Sequence, residues 1–197
     1  MDNKQKILEK AAELIHSKGF NHTSIQDILD AASVTKSNFY YHFESKEQLI
    51  FEILGERMKL LYAFAIGPSL DNPRLDALER VELFLEKMKT LGLSPGGELG
   101  CPFGNLAQEI SSTHEPLRRS LSQFFATCTE AMERCFEEGK QTGIFGKTLP
   151  SKQLAEFVFA QIQGSLLLRK THKEPEVIER NVEMLKGLIR QWRGDGS

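Results

Sequence analysis

The chain has 197 residues, of which 25 are lysine or arginine and 27 are aspartate or glutamate, so its formal net charge is −2. Hydrophobic residues make up 40% and charged residues 26%, the usage of a folded globular protein rather than a disordered or collagen-like one. The near-neutral charge excludes a polycation that binds nucleic acid by bulk attraction alone.

The apolar runs are short. The longest, from Leu60 to Ile66, is far below the roughly 20 residues that cross a bilayer. The first ten residues are polar and charged and contain no apolar signal core. Because the three cysteines are an odd number in a chain without such a signal, we expect reduced thiols, a cytoplasmic location and no membrane contact.

Apolar residues recur with helical spacing along nearly the whole chain, and no segment shows a convincing two-residue alternation. The first helical pattern ends at Gly19, and a short second helix ends near Ala32. We therefore predict an all-α protein of about nine helices, the later ones at Lys36–His42, Lys46–Phe64, 74–92, 102–112, 116–141, 151–170 and 175–193. Two helix starts show the spacing of a capping box, Thr23 with Gln26 and Ser45 with Gln48.

Residues 24–42 have the pattern of a helix–turn–helix. The first helix has an apolar face, and the second begins with the polar cluster Thr35-Lys36-Ser37-Asn38. Lysine can bind guanine and asparagine can bind adenine at base edges in the major groove. Residues 31–43 also contain no aspartate or glutamate that would face phosphate. An ordinary three-helix packing unit is the alternative explanation of the same periodicity.

The aromatic run at the end of this segment favours DNA reading over that alternative. Phe39, Tyr40 and Phe43 are spaced to bury their rings, whereas Tyr41 and His42 point outward with polar tips suited to phosphate oxygens. Up to residue 46 the chain holds six lysines and six acids, so DNA affinity depends on where the charges lie and on two copies acting together.

The stretch from Ile7 to Leu49 resembles the tetracycline-repressor (TetR) family of transcriptional regulators. The residues that carry the resemblance are Ile7-Leu8, Ala11-Ala12, Leu14-Ile15, Gly19-Phe20, Thr23-Ser24-Ile25, Ile28, the run from Val34 to Phe43, and Lys46-Glu47-Gln48-Leu49. The resemblance implies phosphate contacts from Thr23 and Ser24, groove contacts from Lys36, Ser37, Asn38 and Tyr41, and backbone contacts from Tyr40, His42 and Lys46.

Two positions depart from the family pattern. Ser33 stands in the turn where the family commonly has glycine, so a turn that needs a positive φ would strain this residue. Ser37 and Asn38 stand where the family often has glycine followed by threonine or serine, which bears on the operator that is read.

The resemblance also implies a DNA-binding domain at 1–46 and a ligand-binding and dimerisation domain at 47–197. Two apolar stripes near the C-terminus support dimerisation independently, because a two-helix hairpin can pair with its copy as a four-helix interface. The alternative is that both stripes face the core of one chain. The predicted interface residues are Leu154, Val158, Gln161 and Ser165 in one stripe, and Ile178, Val182, Leu185 and Ile189 in the other.

Cys101 directly precedes Pro102, a residue suited to the first position of a helix. Amide groups and the helix dipole at such a position favour a thiolate. The stretch Gly-Cys-x-x-Gly-Asn-Leu-Ala-x-Glu at 100–109 resembles a branch of the TetR family that includes regulators responding to electrophiles and oxidants. One hypothesis is that Cys101 is a redox or electrophile sensor; the other is a packed thiol, the commoner role of a free cysteine.

A ligand pocket is expected among the helices of the C-terminal domain, as in the family. Its aromatic and methionine content favours an apolar or aromatic effector, with an electrophile as the other possibility. Core packing is the alternative role for each of these side chains, and the apolar spacing favours it. Besides Cys101, the predicted walls are Tyr62, Phe84, Met88, Phe103, Phe125, Cys128 and Met132.

These features together predict a homodimeric repressor that binds a palindromic operator on double-stranded DNA and releases it when an effector binds. No cofactor and no metal are expected, since the cysteines and histidines lack the spacing of a zinc site. Two other classes remain open from the sequence: a helical carrier without DNA function, and an enzyme that uses Cys101.

Overall fold

The computed structural model describes residues 2–194 and is helical almost throughout. Within that range the only extended pairing is an isolated bridge between Phe145 and Arg193. Met1 and residues 195–197, the outer limits of the predicted domains, lie outside the described residues. The all-α prediction is confirmed for the described residues, which form α1 (Asn3–Lys18), α2 (Ile25–Ala32), α3 (Lys36–His42), α4 (Lys46–Leu61), α5 (Ala77–Leu93), α6 (Pro102–Ile110), α7 (Glu115–Gln141), α8 (Ser151–His172) and α9 (Glu176–Gln191).

The start of α2 differs from the prediction. Ser24 is the cap: its Oγ accepts a hydrogen bond from the Asp27 amide at 3.1 Å, and the Asp27 carboxylate accepts one from the Ser24 amide at 2.8 Å. Thr23 is fully buried, and its hydroxyl donates to the carbonyl of Gly19 at 2.7 Å. The predicted box of Thr23 and Gln26 is wrong by one residue, because aspartate serves here as the third helical residue of the box.

Helix α4 begins at the predicted place. The Ser45 hydroxyl accepts a hydrogen bond from the Gln48 amide at 3.1 Å, as a capping residue does. Its predicted end at Phe64 is wrong, since regular helix stops at Leu61 and a π-helical turn follows over Tyr62–Ile66. Apolar spacing alone does not distinguish these two helical forms.

The chain divides into two compact units. The first takes the chain up to Lys59 together with Pro102–Gln123, and the second takes Leu60–Cys101 together with the chain from Phe124 onward. Compactness is a different criterion from function, so the predicted functional boundary between residues 46 and 47 stays a prediction.

In the second unit, α5, α8 and α9 enclose an apolar core. Phe84, Val158 and Ile189 are each 0% exposed. At the edge of this core, Lys186 of α9 forms an ion pair with Glu86 of α5. Within residues 2–194, no helix is both long and apolar enough to span a membrane.

Candidate DNA interface and effector domain

Helix α3 has one buried face and one exposed face. Phe39 and Phe43 are 0% and 1% exposed, and their ring centroids lie 5.6 Å apart, so they anchor the helix to the core of the first unit. On the opposite face Lys36 and Ser37 are exposed, and Tyr41 is 81% exposed. An anchored helix with outward polar side chains is the arrangement that reading of a major groove requires.

Tyr40 lies where the prediction did not put it. Its side chain is 48% exposed rather than buried, because consecutive residues point about 100° apart around a helix and Phe39 already takes the inner position. The Lys36 ammonium lies 6.0 Å from the centre of the Tyr40 ring. The rings of Tyr41 and His42 meet edge to face at 4.9 Å. Lys36 with Tyr40, and Tyr41 with His42, therefore form two neighbouring side-chain pairs on α3.

The first turn of α3 is held by its own side chains. The Thr35 hydroxyl accepts a hydrogen bond from the Asn38 amide at 3.3 Å and lies 3.0 Å from the Ser37 hydroxyl. Thr35 and Ser37 remain exposed, whereas Asn38 is half-buried. The side-chain oxygen of Asn38 is buried and has no hydrogen-bond partner among the described residues.

The turn between α2 and α3 has the left-handed geometry for which the sequence predicts strain. Ser33 adopts φ 54° and ψ 46°, the left-handed region in which a side chain is unfavourable. Its amide still donates to the carbonyl of Asp30 at 3.3 Å. The condition under which the sequence predicts strain at Ser33, a positive φ, is therefore met.

Two of the predicted phosphate contacts face inward. Thr23 is 0% exposed, and its hydroxyl is used within the loop between α1 and α2. Lys46 is half-buried, and its ammonium donates to the carbonyls of Phe20 and Thr23, each at 2.9 Å. These two residues hold the loop rather than present themselves at the surface.

Ser24 is exposed but already engaged. Its hydroxyl donates to the Asp27 carboxylate at 2.5 Å, and this hydrogen bond, with that from the Ser24 amide, lowers the pKa of Asp27. The carboxylate is therefore ionised at neutral pH. It places a negative charge next to a predicted phosphate contact, which weakens that contact.

The predicted effector residues are divided between core and surface. Phe103 belongs to the first unit and is 8% exposed, whereas the other seven belong to the second. Phe84, Cys128 and Met132 are buried, and Met88 and Phe125 are half-buried. Tyr62 is exposed, and its hydroxyl donates to the Asp71 carboxylate at 2.9 Å, which raises the pKa of Tyr62. A ligand-binding role for these residues stays a prediction.

The three cysteines lie in different surroundings. Cys128 and Cys135 are each 1% exposed, and burial raises the pKa of both thiols to about 12. Cys101 is half-buried and directly precedes the first residue of α6, Pro102, as predicted. Of the three thiols it is therefore the one that is not shielded by the core.

The predicted interface stripes turn mainly toward the core of their own chain. Ser165 of α8 accepts a hydrogen bond from the Asn181 amide group of α9 at 3.0 Å, so one of the two polar members of the stripe is used internally. Gln161 alone is exposed. The intramolecular alternative thus accounts for the other seven residues, which are Leu154, Val158, Ser165, Ile178, Val182, Leu185 and Ile189.

A different apolar face of the same two helices is open to solvent. Phe157 and Leu168 of α8 are 43% and 42% exposed, Leu167 is 49% exposed, and Met184 of α9 is 66% exposed. A methyl group added at Gly164 would meet no atom within 4 Å. This exposed face, which we call the outer face, was not separated from the buried stripes in the sequence.

A small helical unit with an exposed recognition helix, joined to a larger helical unit, defines the class of helix–turn–helix DNA-binding proteins. Comparison with known proteins identifies the family. The family model described as bacterial regulatory proteins, tetR family, matches residues 7–53, and the model of a tetracyclin repressor-like C-terminal domain matches residues 77–185.

Relatives match along almost the whole chain. A transcriptional regulator in the lacX 3′ region of Lactococcus lactis subsp. lactis is 32% identical over 186 residues, covering 94% of this chain and 92% of that one. The transcriptional repressor DhaR of Mycobacterium sp. (strain GP1) is 30% identical over 177 residues, covering 89% of this chain and 86% of its own. The chain belongs to the tetR family of bacterial regulatory proteins. It is a DNA-binding transcriptional regulator rather than an enzyme.

Solved structures share the fold. A TetR regulator from Chloroflexus aurantiacus superposes with a TM-score of 0.88 at 23% identity, over 98% of this chain and 96% of that one. A TetR-family regulator from Cytophaga hutchinsonii gives a TM-score of 0.83 at 22% identity, over 96% and 94%. At these identities the likeness shows the fold alone.

Proposed function

We propose that this chain is a repressor that binds a palindromic operator as a homodimer and releases it when an effector acts on its C-terminal domain. The observation that carries the proposal is the two-faced helix α3. Phe39 and Phe43 fix its backbone, while Lys36, Ser37 and Tyr41 extend into solvent. We assign residues 1–46 to DNA binding and residues 47–197 to effector binding and dimerisation.

On this proposal the exposed residues of α3 divide their roles. Lys36, Ser37 and Tyr41 contact base edges. Asn38 joins them after its side chain turns outward, because its oxygen is buried and has no hydrogen-bond partner among the described residues. Thr35, Tyr40 and His42 contact phosphates at the rim of the groove. Ser24 is a weaker phosphate contact because of Asp27, and Thr23 and Lys46 act from inside by holding the loop.

The experiment is selection of bound DNA from random duplexes at a stated salt concentration, because affinity for DNA depends steeply on salt. We expect a site with two-fold symmetry. The double variant Lys36→Ala with Tyr41→Ala should then lose on the order of a hundredfold or more in affinity for that site. The control is Lys147→Ala, an exposed lysine of the second unit, which should bind like wild type. Equal binding by the double variant would remove the proposed role of α3.

The outer face of α8 and α9 supports the dimer. Met184, Phe157 and Leu168 expose large apolar side chains that water solvates poorly, and a second copy would cover them by the same face. The gap beside Gly164 permits close approach of two helices. Gln161, the exposed member of the predicted interface set, lies on the same helix.

An effector-responsive thiol is the finer part of the proposal. Cys101 is more accessible than the two core thiols and adjoins the start of α6, so a modification there would disturb that helix end. The predicted pocket residues favour an apolar or aromatic molecule as the other kind of effector. In either case the effector shifts the population from dimers that bind DNA to dimers that do not.

Operator binding with and without an electrophile such as N-ethylmaleimide tests the thiol. Wild type should release DNA after alkylation, whereas Cys101→Ser should keep it. The matched control is Cys128→Ser, a buried thiol, which should respond like wild type. An identical response from wild type and Cys101→Ser rejects the sensor and leaves the packed thiol.

A DNA regulator shares the compartment of the DNA, so we place its action in the cytoplasm, without cofactor or metal.

A further inference from the structure

Glu109 of α6 reaches the loop that joins α1 to α2. Its two carboxylate oxygens accept hydrogen bonds from the amides of Phe20 and Asn21, at 2.8 and 2.6 Å. Both partners are consecutive backbone N–H groups just beyond the end of α1. A carboxylate on two amides makes charge-assisted hydrogen bonds, which are stronger than neutral ones.

The ammonium group of Lys46 in α4 binds backbone carbonyl groups of the same loop. It donates to the oxygens of Phe20 and Thr23 and lies 4.1 Å from the centre of the Phe20 ring. The negative group therefore meets the N–H side of the loop and the positive group meets the C=O side. We call residues 19–23, held in this way, the clamped loop.

The backbone of the clamped loop is shaped for the carboxylate. Gly19 has φ 92° and ψ 160°, a conformation that side chains rarely adopt. A Cβ at this position would lie 3.0 Å from one oxygen of Glu109, closer than ordinary contact. Phe20 is 2% exposed and meets the His114 ring edge to face at 5.7 Å, so its side chain anchors the loop to the first unit.

The clamped loop leads directly into the DNA-binding helices. The Thr23 hydroxyl closes the loop by donating to Gly19, and the next residue, Ser24, is the cap at which α2 begins. The direction in which α2 leaves the loop sets the position of α3 after it. Any tilt of the loop would therefore be carried to the groove-reading side chains.

We propose that Glu109 is a positioning residue for operator binding: its carboxylate fixes the clamped loop so that α2 and α3 meet DNA in one orientation. Glu109 itself touches no DNA in this proposal. The inference rests on the proposed function and adds to it a residue 89 positions away from the loop it holds.

If Glu109 acts only through its charge, or if it acts by positioning the loop, opposite changes in operator affinity are expected when glutamine replaces it. Removing a carboxylate from a protein that binds phosphates strengthens its attraction to any duplex. Losing a positioning contact weakens binding to the operator only. Glutamine has one acceptor oxygen, and its NH₂ group would face an N–H donor, so it cannot reproduce both hydrogen bonds.

The experiment compares Glu109→Gln with Glu44→Gln in the full-length protein. Glu44 is an exposed acid of the same unit whose carboxylate makes no hydrogen bond or ion pair within residues 2–194. Affinities for the selected operator and for a scrambled duplex are measured at one salt concentration. We expect Glu109→Gln to lose at least about tenfold for the operator and nothing for the scrambled duplex. Glu44→Gln should bind the operator as tightly as wild type or more tightly.

Operator binding by Glu109→Gln that equals or exceeds wild type overturns the inference, as does an equal loss on both duplexes. Should Glu109→Gln lower the melting temperature by more than about 5 °C, Glu109→Asp replaces it, because aspartate keeps the charge but is one methylene too short. Reduced operator affinity of Glu109→Asp then supports positioning, and wild-type affinity overturns it. A wild-type chain that selects no DNA sequence overturns the proposed function and this inference together, whereas the outcomes above concern Glu109 alone.

Discussion

Helix α3 and the pair α8–α9 are both amphipathic, yet only α3 has a single apolar face. In α3 and its C-cap the two buried aromatics, Phe39 and Phe43, leave the remaining surface polar or polar-tipped. In α8–α9 an inner stripe packs within the chain while an outer face, with Phe157 and Met184, stays apolar in solvent. A helix with one apolar face reveals its inward side from sequence, and a helix with two does not.

The more regular stripe of α9 is the inner one. Val182 and Ile189 follow the helical repeat closely and are 3% and 0% exposed, whereas Met184, off that repeat, is 66% exposed. Regular spacing of branched side chains is what close packing inside one chain selects. The outer face exposes large apolar side chains, of which Met184 is a flexible one that can adapt to a contact made after folding.

The largest expected effect is on the free energy of unfolding, which should distinguish the inner stripe from the outer face. Ile189→Ala removes a fully buried side chain, so we expect the free energy of unfolding to fall by about 2–5 kcal/mol. Met184→Ala, on the same helix but exposed, should change it by less than about 0.5 kcal/mol. Urea unfolding at a fixed low protein concentration measures both. Similar losses from both variants would contradict the assignment of inner and outer faces.

The outer face is tested next by self-association. Met184→Glu places two new charges in a symmetric contact, since each substitution occurs once per copy. We expect the dimer dissociation constant to rise about tenfold or more, measured by sedimentation equilibrium. Leu60→Glu, at a leucine of α4 that is 59% exposed, is the matched control and should leave the constant unchanged.

A smaller effect is the pH dependence of the free energy of unfolding that comes from a carboxyl group at the edge of the apolar core. Burial raises the pKa of Glu86, but hydrogen bonds from Lys186 and Lys89 outweigh it and lower the pKa below 4.5. A carboxyl with a lowered pKa stabilises the fold above its unfolded value and loses that contribution as the pH falls through its folded value. Wild type should therefore exceed Glu86→Gln by about 0.5–1.5 kcal/mol at pH 7. The gap should close below pH 4.5, and a gap that widens in acid would contradict the ion pair.

The smallest effect concerns the turn that presents α3. Ser33→Gly relieves a left-handed residue, which costs about 1–2 kcal/mol for a side chain, but adds roughly 0.5–1 kcal/mol of backbone entropy to the unfolded state. We expect a net gain of about 0.5 kcal/mol in unfolding free energy. Ser33→Ala keeps the strain and should show no gain, so equal gains from both would mean that the turn is not the cause.

The features that could be predicted from the sequence depend on residues that lie close together along the chain. The polar start of α3, its buried aromatics and the strain at Ser33 all depend on residues within ten positions of one another. The cap of α2 was misplaced by one position because Thr23 and Ser24 are both good capping residues. Only packing shows that Thr23 is buried and Ser24 is not.

The features that could not be predicted from the sequence depend on contacts between residues far apart along the chain. The hydrogen bonds of Glu109 to Phe20 and Asn21 join residues 88 or 89 positions apart, and no local pattern announces them. The one signal was the motif at 100–109, which Glu109 closes. Lys46 was predicted as a DNA-backbone contact because the family resemblance implies it, and no local pattern shows that its ammonium donates hydrogen bonds to two carbonyls of the loop.

Methylation interference at guanine N7 is the decisive test of major-groove reading by α3, because this atom lies in the major groove. On the selected operator, we expect methylation to block binding at guanines in two symmetric half-sites. The Lys36→Ala and Tyr41→Ala double variant should lose that pattern. Interference confined to one half-site, or binding untouched by N7 methylation, would contradict a dimer that reads DNA through α3.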